Sequence, residues 1–238
     1  MIRSKASTPT SRLAAYFYCV LSVVIAGVVV YGFSHTIDAK LIHPRNPPPL
    51  VLYFHAAVFG GWVVLLIIQS ALIRTANVKL HRKLGFAGLG LGIAIPVVGI
   101  ATGIAMARFN IRHGSTDEAQ FLIVPFYDMV AFSIAFGLAV FWRKKPEFHR
   151  RLMLIASCGL TIAAFNRLPA FIVPPNWGYA GVDLLILFGV GRDLITTGMV
   201  HPAYLYGLPA VILGQGITMY TYLTSLPQWM KIANRLIG

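Results

Sequence analysis

The chain has 238 residues, of which 57% are hydrophobic and only 11% charged, and its formal charge at neutral pH is +13. Soluble domains average roughly 45–50% apolar and about 25% charged residues, and a chain of this size leaves about a quarter or more of its surface outside the fold. Part of that surface must therefore meet hydrocarbon, which excludes a soluble globular domain. The basic excess does not point to nucleic acid, because Lys and Arg stand in short clusters between long apolar runs, where lipid headgroups and the positive-inside bias account for them.

Taken in chain order, residues 1–12 read as a cytoplasmic N-terminus bearing Arg3, Lys5 and Arg12. The run Leu13–Phe33 is long enough to span a bilayer, and with no small-residue cleavage site after it, it reads as a retained first helix. Six further runs follow: Leu50–Ile73, Leu84–Ala107, Phe121–Trp142, Leu152–Val173, Tyr179–Val190 and Ala203–Leu223. The sixth is short and holds Asp183, and it reaches spanning length if Trp177 and Arg192 sit at the two interfaces. Helices are the expected element, since a lipid-exposed backbone must satisfy its own hydrogen bonds and the runs lack the alternation of barrel strands. Between the first two runs, Asn46-Pro47-Pro48-Pro49 blocks a helix and predicts an extended entry to the second span. The tail, residues 227–238, pairs Trp229, Ile232 and Leu236 with Lys231 and Arg235, as a helix lying on the membrane surface would.

The expected fold is thus all-α, one transmembrane domain over residues 1–238, with about seven spanning helices and helices two to seven arranged as three hairpins. Thirteen of the 20 Lys and Arg residues fall in the N-terminus and the segments after spans two, four and six. That bias places the N-terminus inside and the C-terminus outside.

A repeat carries the main functional expectation. Val78-Lys79-Leu80-His81-Arg82-Lys83-Leu84 recurs as Pro146-Glu147-Phe148-His149-Arg150-Arg151-Leu152, and Val200-His201-Pro202 is a weaker third copy. Each copy opens a helix returning from the cytoplasmic face, so His81, His149 and His201 are expected at similar depth. Three imidazoles on one layer suit Zn, Fe or Cu, and two facing each other suit a haem, with Arg82 and Arg150 toward its propionates. A three-histidine metal with an open position would make a membrane hydrolase. The competing reading of these residues is a headgroup-binding collar.

Asp128 lies inside the fourth run, where a carboxylate is costly and marks a functional site. With His55 and Arg167 as its expected partners it defines a second site, a polar pathway for a small transporter or channel. A third reading is a structural or assembly partner of another membrane protein, with contacts made through the glycines of residues 85–92. Gln69, Asn166 and Gln215 are expected to join helices to one another. Cys19 and Cys158 stand alone within apolar runs and imply neither a disulfide framework nor a thiolate metal site.

The segments around His81, His149 and His201, together with His55, Trp62 and Gln69, resemble a group of largely uncharacterised bacterial multi-pass inner-membrane proteins over roughly residues 50–215. The segment around His149 is also similar to the small membrane proteins that mature haem–copper oxidases. The resemblance implies a bacterial inner-membrane location and, through the second group, a role in redox chemistry or oxidase assembly.

Overall fold

The computed structural model describes the backbone from Pro9 to Gly238 and side chains from Tyr16 onward. The expectations for Arg3 and Lys5 lie outside the described residues, and of Arg12 only the backbone is described.

Every regular element among the described residues is helical: α1 (Pro9–Ser34), a π-helical turn (Asp38–Ile42), α2 (Leu50–Arg74), α3 (Val78–Arg112), α4 (Glu118–Phe121), α5 (Ile123–Phe141), α6 (Pro146–Gly159), α7 (Ile162–Phe165), α8 (Gly178–Thr197), α9 (Pro202–Leu223) and α10 (Pro227–Ile237). Five stretches are long and apolar enough to cross a membrane: Tyr16–Ser34, Leu50–Arg74, Val78–Arg112, Glu118–Phe141 and Pro146–Phe165. Helices α8 and α9, of 20 and 22 residues, have the length but fall outside this set.

Helices α1, α2, α3, α5, α9 and α8 pack each against the next, and α8 returns to α1, forming a ring. Inside it stands the α6–α7 rod, in contact with α1, α5, α8 and α9. The centre is therefore occupied by one of the more polar stretches of the chain, including Arg151, Ser157 and Thr161, all buried. The apolar side chains of the ring point outward instead. Val64, Phe86, Val97, Ile134, Leu187, Leu213 and Ile217 are among many large exposed hydrophobics, a belt far larger than soluble monomers tolerate. Loops 75–77, 142–145 and 198–201 share one end of the bundle, the basic end; the Pro-rich loop before α2, α4 and α10 mark the opposite end.

Several boundaries differ from expectation for local reasons. The fifth run starts earlier, at Pro146, because proline suits the first helical position. It stops at Phe165 rather than Val173, since Pro169, Pro174 and Pro175 forbid continuation and residues 166–177 form turns. Arg192 is not at an interface as expected, but buried in the bundle at 6% exposure. The tail is docked rather than merely lying on the surface. In α10, Ala233 is fully buried, Trp229 Nε1 donates to the Ala119 carbonyl at 3.0 Å, and Arg108 donates to the Leu236 carbonyl at 2.7 Å. Within the glycine face of α3, Gly92 is filled by Phe136 and Gly88 meets Leu65, whereas Gly85 and Gly90 face open space.

At Gly32 the backbone of α1 comes close to that of α7. A Cβ on Gly32 would come within 2.5 Å of the Ala164 carbonyl oxygen, whereas one on Gly27 would touch nothing. Small residues at helix crossings in membranes allow this contact, and backbone cannot move aside as a side chain can. Gly32→Ala is therefore expected to cost about 1–3 kcal/mol, with Gly27→Ala near neutral, as read by thermal unfolding of the detergent-solubilised protein. Equal melting of the two variants would contradict the packing.

Candidate functional site

Two buried polar clusters lie along the central rod. The first is in the half of the bundle nearer the opposite end. Asp128 of α5 is 7% exposed, and its Oδ1 accepts from the Tyr179 hydroxyl of α8 at 2.9 Å. Below it Gln215 Nε2 of α9 donates to Asp183 Oδ1 at 3.0 Å, and the Tyr127 hydroxyl donates to the Val211 carbonyl at 2.7 Å. Glycine makes the close fit: the Tyr127 ring fills the place of a Cβ on Gly214.

Tyr179 lines two spaces. Toward the opposite end it lines a cleft of about 320 Å³ with Phe121, Asn166, Pro174, Met219 and Tyr222, a size that suits a small molecule. On its inner side it lines a space of about 20 Å³ with Asp128, Tyr127, Gly159 and Gln215, enough for one water. Among the described residues no Lys, Arg or His lines either space. The lining thus offers acceptors and hydroxyls and no fixed cation.

The second cluster closes the basic end. Arg151 of α6, 2% exposed, donates through Nε and Nη2 to the two oxygens of Asp193, fully buried on α8, at 2.7 and 2.6 Å. This is the bidentate fork geometry in which guanidinium binds carboxylate best. Its Nη1 donates to Glu147 Oε2 at 2.6 Å and to the Glu147 carbonyl at 2.8 Å. Arg192 donates to Asp193 Oδ1 at 3.0 Å, and Arg150 pairs with Glu147. Sequence reasoning missed this pair, because a basic-loop reading sends Arg151 and Arg192 to solvent. The available signal was Asp193 itself, one of only 7 acidic residues, placed beside an arginine at the end of a span.

The three histidines of the repeat stand at the basic end but are not joined into a ligand set. Among the described residues no group of three His, Cys, Asp or Glu side chains could hold a metal ion. His149 Nδ1 lies 2.9 Å from the Ala139 carbonyl, a bond that ties α6 to α5. His201 Nδ1 accepts from the Ala203 amide at 3.1 Å, capping α9 ahead of Pro202. The His81 Nδ1 is buried with no partner among the described residues, and Arg82 is exposed. Arg150 is engaged with Glu147 and lies 5.4 Å from the Tyr18 ring. These residues therefore do not fit a three-histidine metal centre.

His55 and Arg167 do not meet Asp128, whose side-chain partner is Tyr179. His55 stacks on Phe59 at 4.0 Å, and Arg167 lies 4.5 Å over the Phe33 ring and donates to the Ala163 carbonyl. Of the residues expected to join helices, Gln215 does so through Asp183, Asn166 is exposed, and Gln69 Oε1 is buried without a partner among the described residues. Trp62 adds a bridge not anticipated, its Nε1 donating to Ser157 Oγ at 3.2 Å across α2 and α6. No protein-family model, curated protein or solved structure matches the chain.

His201 lies between helices, and partial burial, then the positive charge of Arg151, hold its imidazole below the ordinary histidine range. A folded state that favours the neutral ring is stabilised fully above about pH 6.5. That stabilisation is lost as pH falls toward the lowered folded value, and protonation also removes the Nδ1 acceptor of the cap. The unfolding midpoint is expected to drop on acidification through this window. His201→Asn keeps a capping acceptor without a titrating ring and should flatten the drop. Parallel thermal melts across pH check this, and equal slopes in the two proteins would contradict it.

Proposed function

We propose that the chain is a seven-span bacterial inner-membrane carrier that passes a small cationic species, a proton or a small organic ammonium ion, along the Asp128 side of its central rod. In this reading α8 and α9 complete the set of spans, because each presents lipid-type side chains outward: Leu184, Leu187 and Phe188 on one, Leu205, Leu213 and Ile217 on the other. Loops 75–77 and 142–145 carry or adjoin most of the described cations, so the basic end faces the cytoplasm by the positive-inside bias.

One observation carries the reading: Asp128, deeply buried with a single hydroxyl partner, lies beside a water-sized space behind the 320 Å³ cleft. An ionisable group inside a span marks a substrate or ion path, and these walls present acceptors to a donor-bearing solute. Tyr179, which lines both spaces, acts as the barrier between them, and its hydroxyl hands the solute to the carboxyl. Asp183 and Gln215 continue the polar line inward. The histidines of the repeat, in this reading, hold helix ends, as His149 and His201 do by their backbone bonds.

The test is flux into proteoliposomes of the purified full chain, followed with a trapped pH dye and with radiolabelled methylammonium. Wild type is expected to carry one of the two, and Asp128→Asn to fall to the leak of empty vesicles while melting unchanged. Equal flux in both proteins, or none in wild type, would contradict the reading. A Soret band on the purified protein that disappears in a His81→Ala, His149→Ala, His201→Ala variant would replace it with haem binding.

A further inference from the structure

At the basic end three guanidinium groups share two carboxylates. Arg150, Arg151 and Arg192 face Glu147 and Asp193, and the geometry divides those carboxylates unequally. Arg151 takes both oxygens of Asp193 and one of Glu147, leaving Arg192 a single bond to Asp193 through Nη1 and Arg150 a single bond to Glu147. The Nε atoms of Arg150 and Arg192 are buried with no partner among the described residues, and the buried hydroxyls of Tyr18 and Tyr204 have none there beyond one another. Arg192 is 6% exposed and Tyr204 1% exposed.

These groups converge. The guanidinium carbons of Arg150 and Arg192 lie 5.4 and 5.6 Å from the Tyr18 ring centroid, and Arg151 lies 5.9 Å from the Tyr204 ring. Four helices, α1, α6, α8 and α9, therefore bring donors to one place. One positive charge remains without a counter-charge among the described residues, and no further acidic side chain is placed there. The chain's other five acidic residues are Asp38, Asp117 and Glu118, at the opposite end, and Asp128 and Asp183, within the bundle. Residues 1–15 contain no Asp or Glu. Leaving a buried charge and several donors unmatched is costly.

We propose that a phosphate group completes this cluster, seated beside Tyr18 between Arg150 and Arg192 with a hydroxyl of the Tyr18–Tyr204 pair donating to it. A tetrahedral oxyanion presents acceptor oxygens in several directions at once, which donors arriving from four helices require, and guanidinium forks match its edges. The side chain of Arg150 is 33% exposed, so the site opens at the rim of the bundle, where the phosphate of a lipid headgroup or a free phosphate ion can both arrive. The site is independent of the Asp128 cluster and stands whether or not the chain transports anything.

The experiment uses the full chain in nanodiscs of neutral phosphatidylcholine, melted in three arms: with added inorganic phosphate, with phosphatidylglycerol in the disc, and with chloride at matched ionic strength. Phosphate or phosphatidylglycerol is expected to raise the melting temperature, and chloride is not. A rise with phosphate alone assigns a free ion, and a rise with phosphatidylglycerol alone assigns a headgroup. Arg192→Gln and Arg150→Gln should each weaken the apparent affinity roughly tenfold, whereas Arg74→Gln, at an exposed arginine over Tyr16, should not. Arg150 is partly exposed, so its variant tests the site even where Arg192→Gln fails to fold. No rise in either arm, or a rise undiminished in Arg150→Gln, would overturn the proposal.

Discussion

A charge sealed inside a helical bundle that faces lipid must meet its partner there. Arg151 and Asp193, 42 residues apart in sequence, are both buried and bound through two parallel hydrogen bonds. Such a pair adds little net stability over an apolar replacement, since desolvation offsets most of the attraction. Its force is one of constraint. With either partner displaced by one helical position, a bare charge would sit in the bundle, so the fork sets the register of α6 against α8. The backbone amide of His201 also approaches Asp193 Oδ2, at 3.4 Å, which draws the start of α9 into the same arrangement.

That constraint explains why a polar rod stands at the centre of an apolar ring. In water, apolar groups go inside; in a bilayer nothing favours that order, and buried polar groups find partners by packing on one another. Arg151, Ser157 and Thr161 succeed one another on the rod. Ser157 receives Trp62 from α2, and Thr161 donates to the Cys158 carbonyl where α6 gives way to α7. Asp128, Tyr179, Asp183 and Gln215 line the flank of the same rod. The fork lies toward one end of the bundle, and the cleft lined by Tyr179 lies toward the other.

The membrane class was legible from composition alone, since no soluble fold hides so much apolar surface, and five of the seven expected spans followed from run length. Asp128 was conspicuous for the same reason, as a carboxylate within an apolar run. Its partner was not, because Tyr179 comes from another helix 51 residues on, and a span's rotation about its axis depends on all its neighbours. The repeat around His81, His149 and His201 was legible as sequence, yet equivalent motifs took different duties. Asn77 caps the helix that holds His81, His149 bonds the preceding helix, and His201 caps its own. Arg151 and Arg192 were read as loop charges because short-loop arithmetic cannot tell a solvated arginine from one drawn inward by a distant aspartate.

The Arg151–Asp193 fork constrains the bundle by requiring both partners at once. A double-replacement cycle with Arg151→Met and Asp193→Leu, measured by reversible unfolding in mixed micelles, tests it most directly. Each single change leaves buried charge short of partners and is predicted to cost about 3–5 kcal/mol, with the double change costing clearly less than the sum of the two yet not recovering in full, because Arg192 then has no carboxylate. Single variants as stable as wild type, or costs that simply add, would contradict the account.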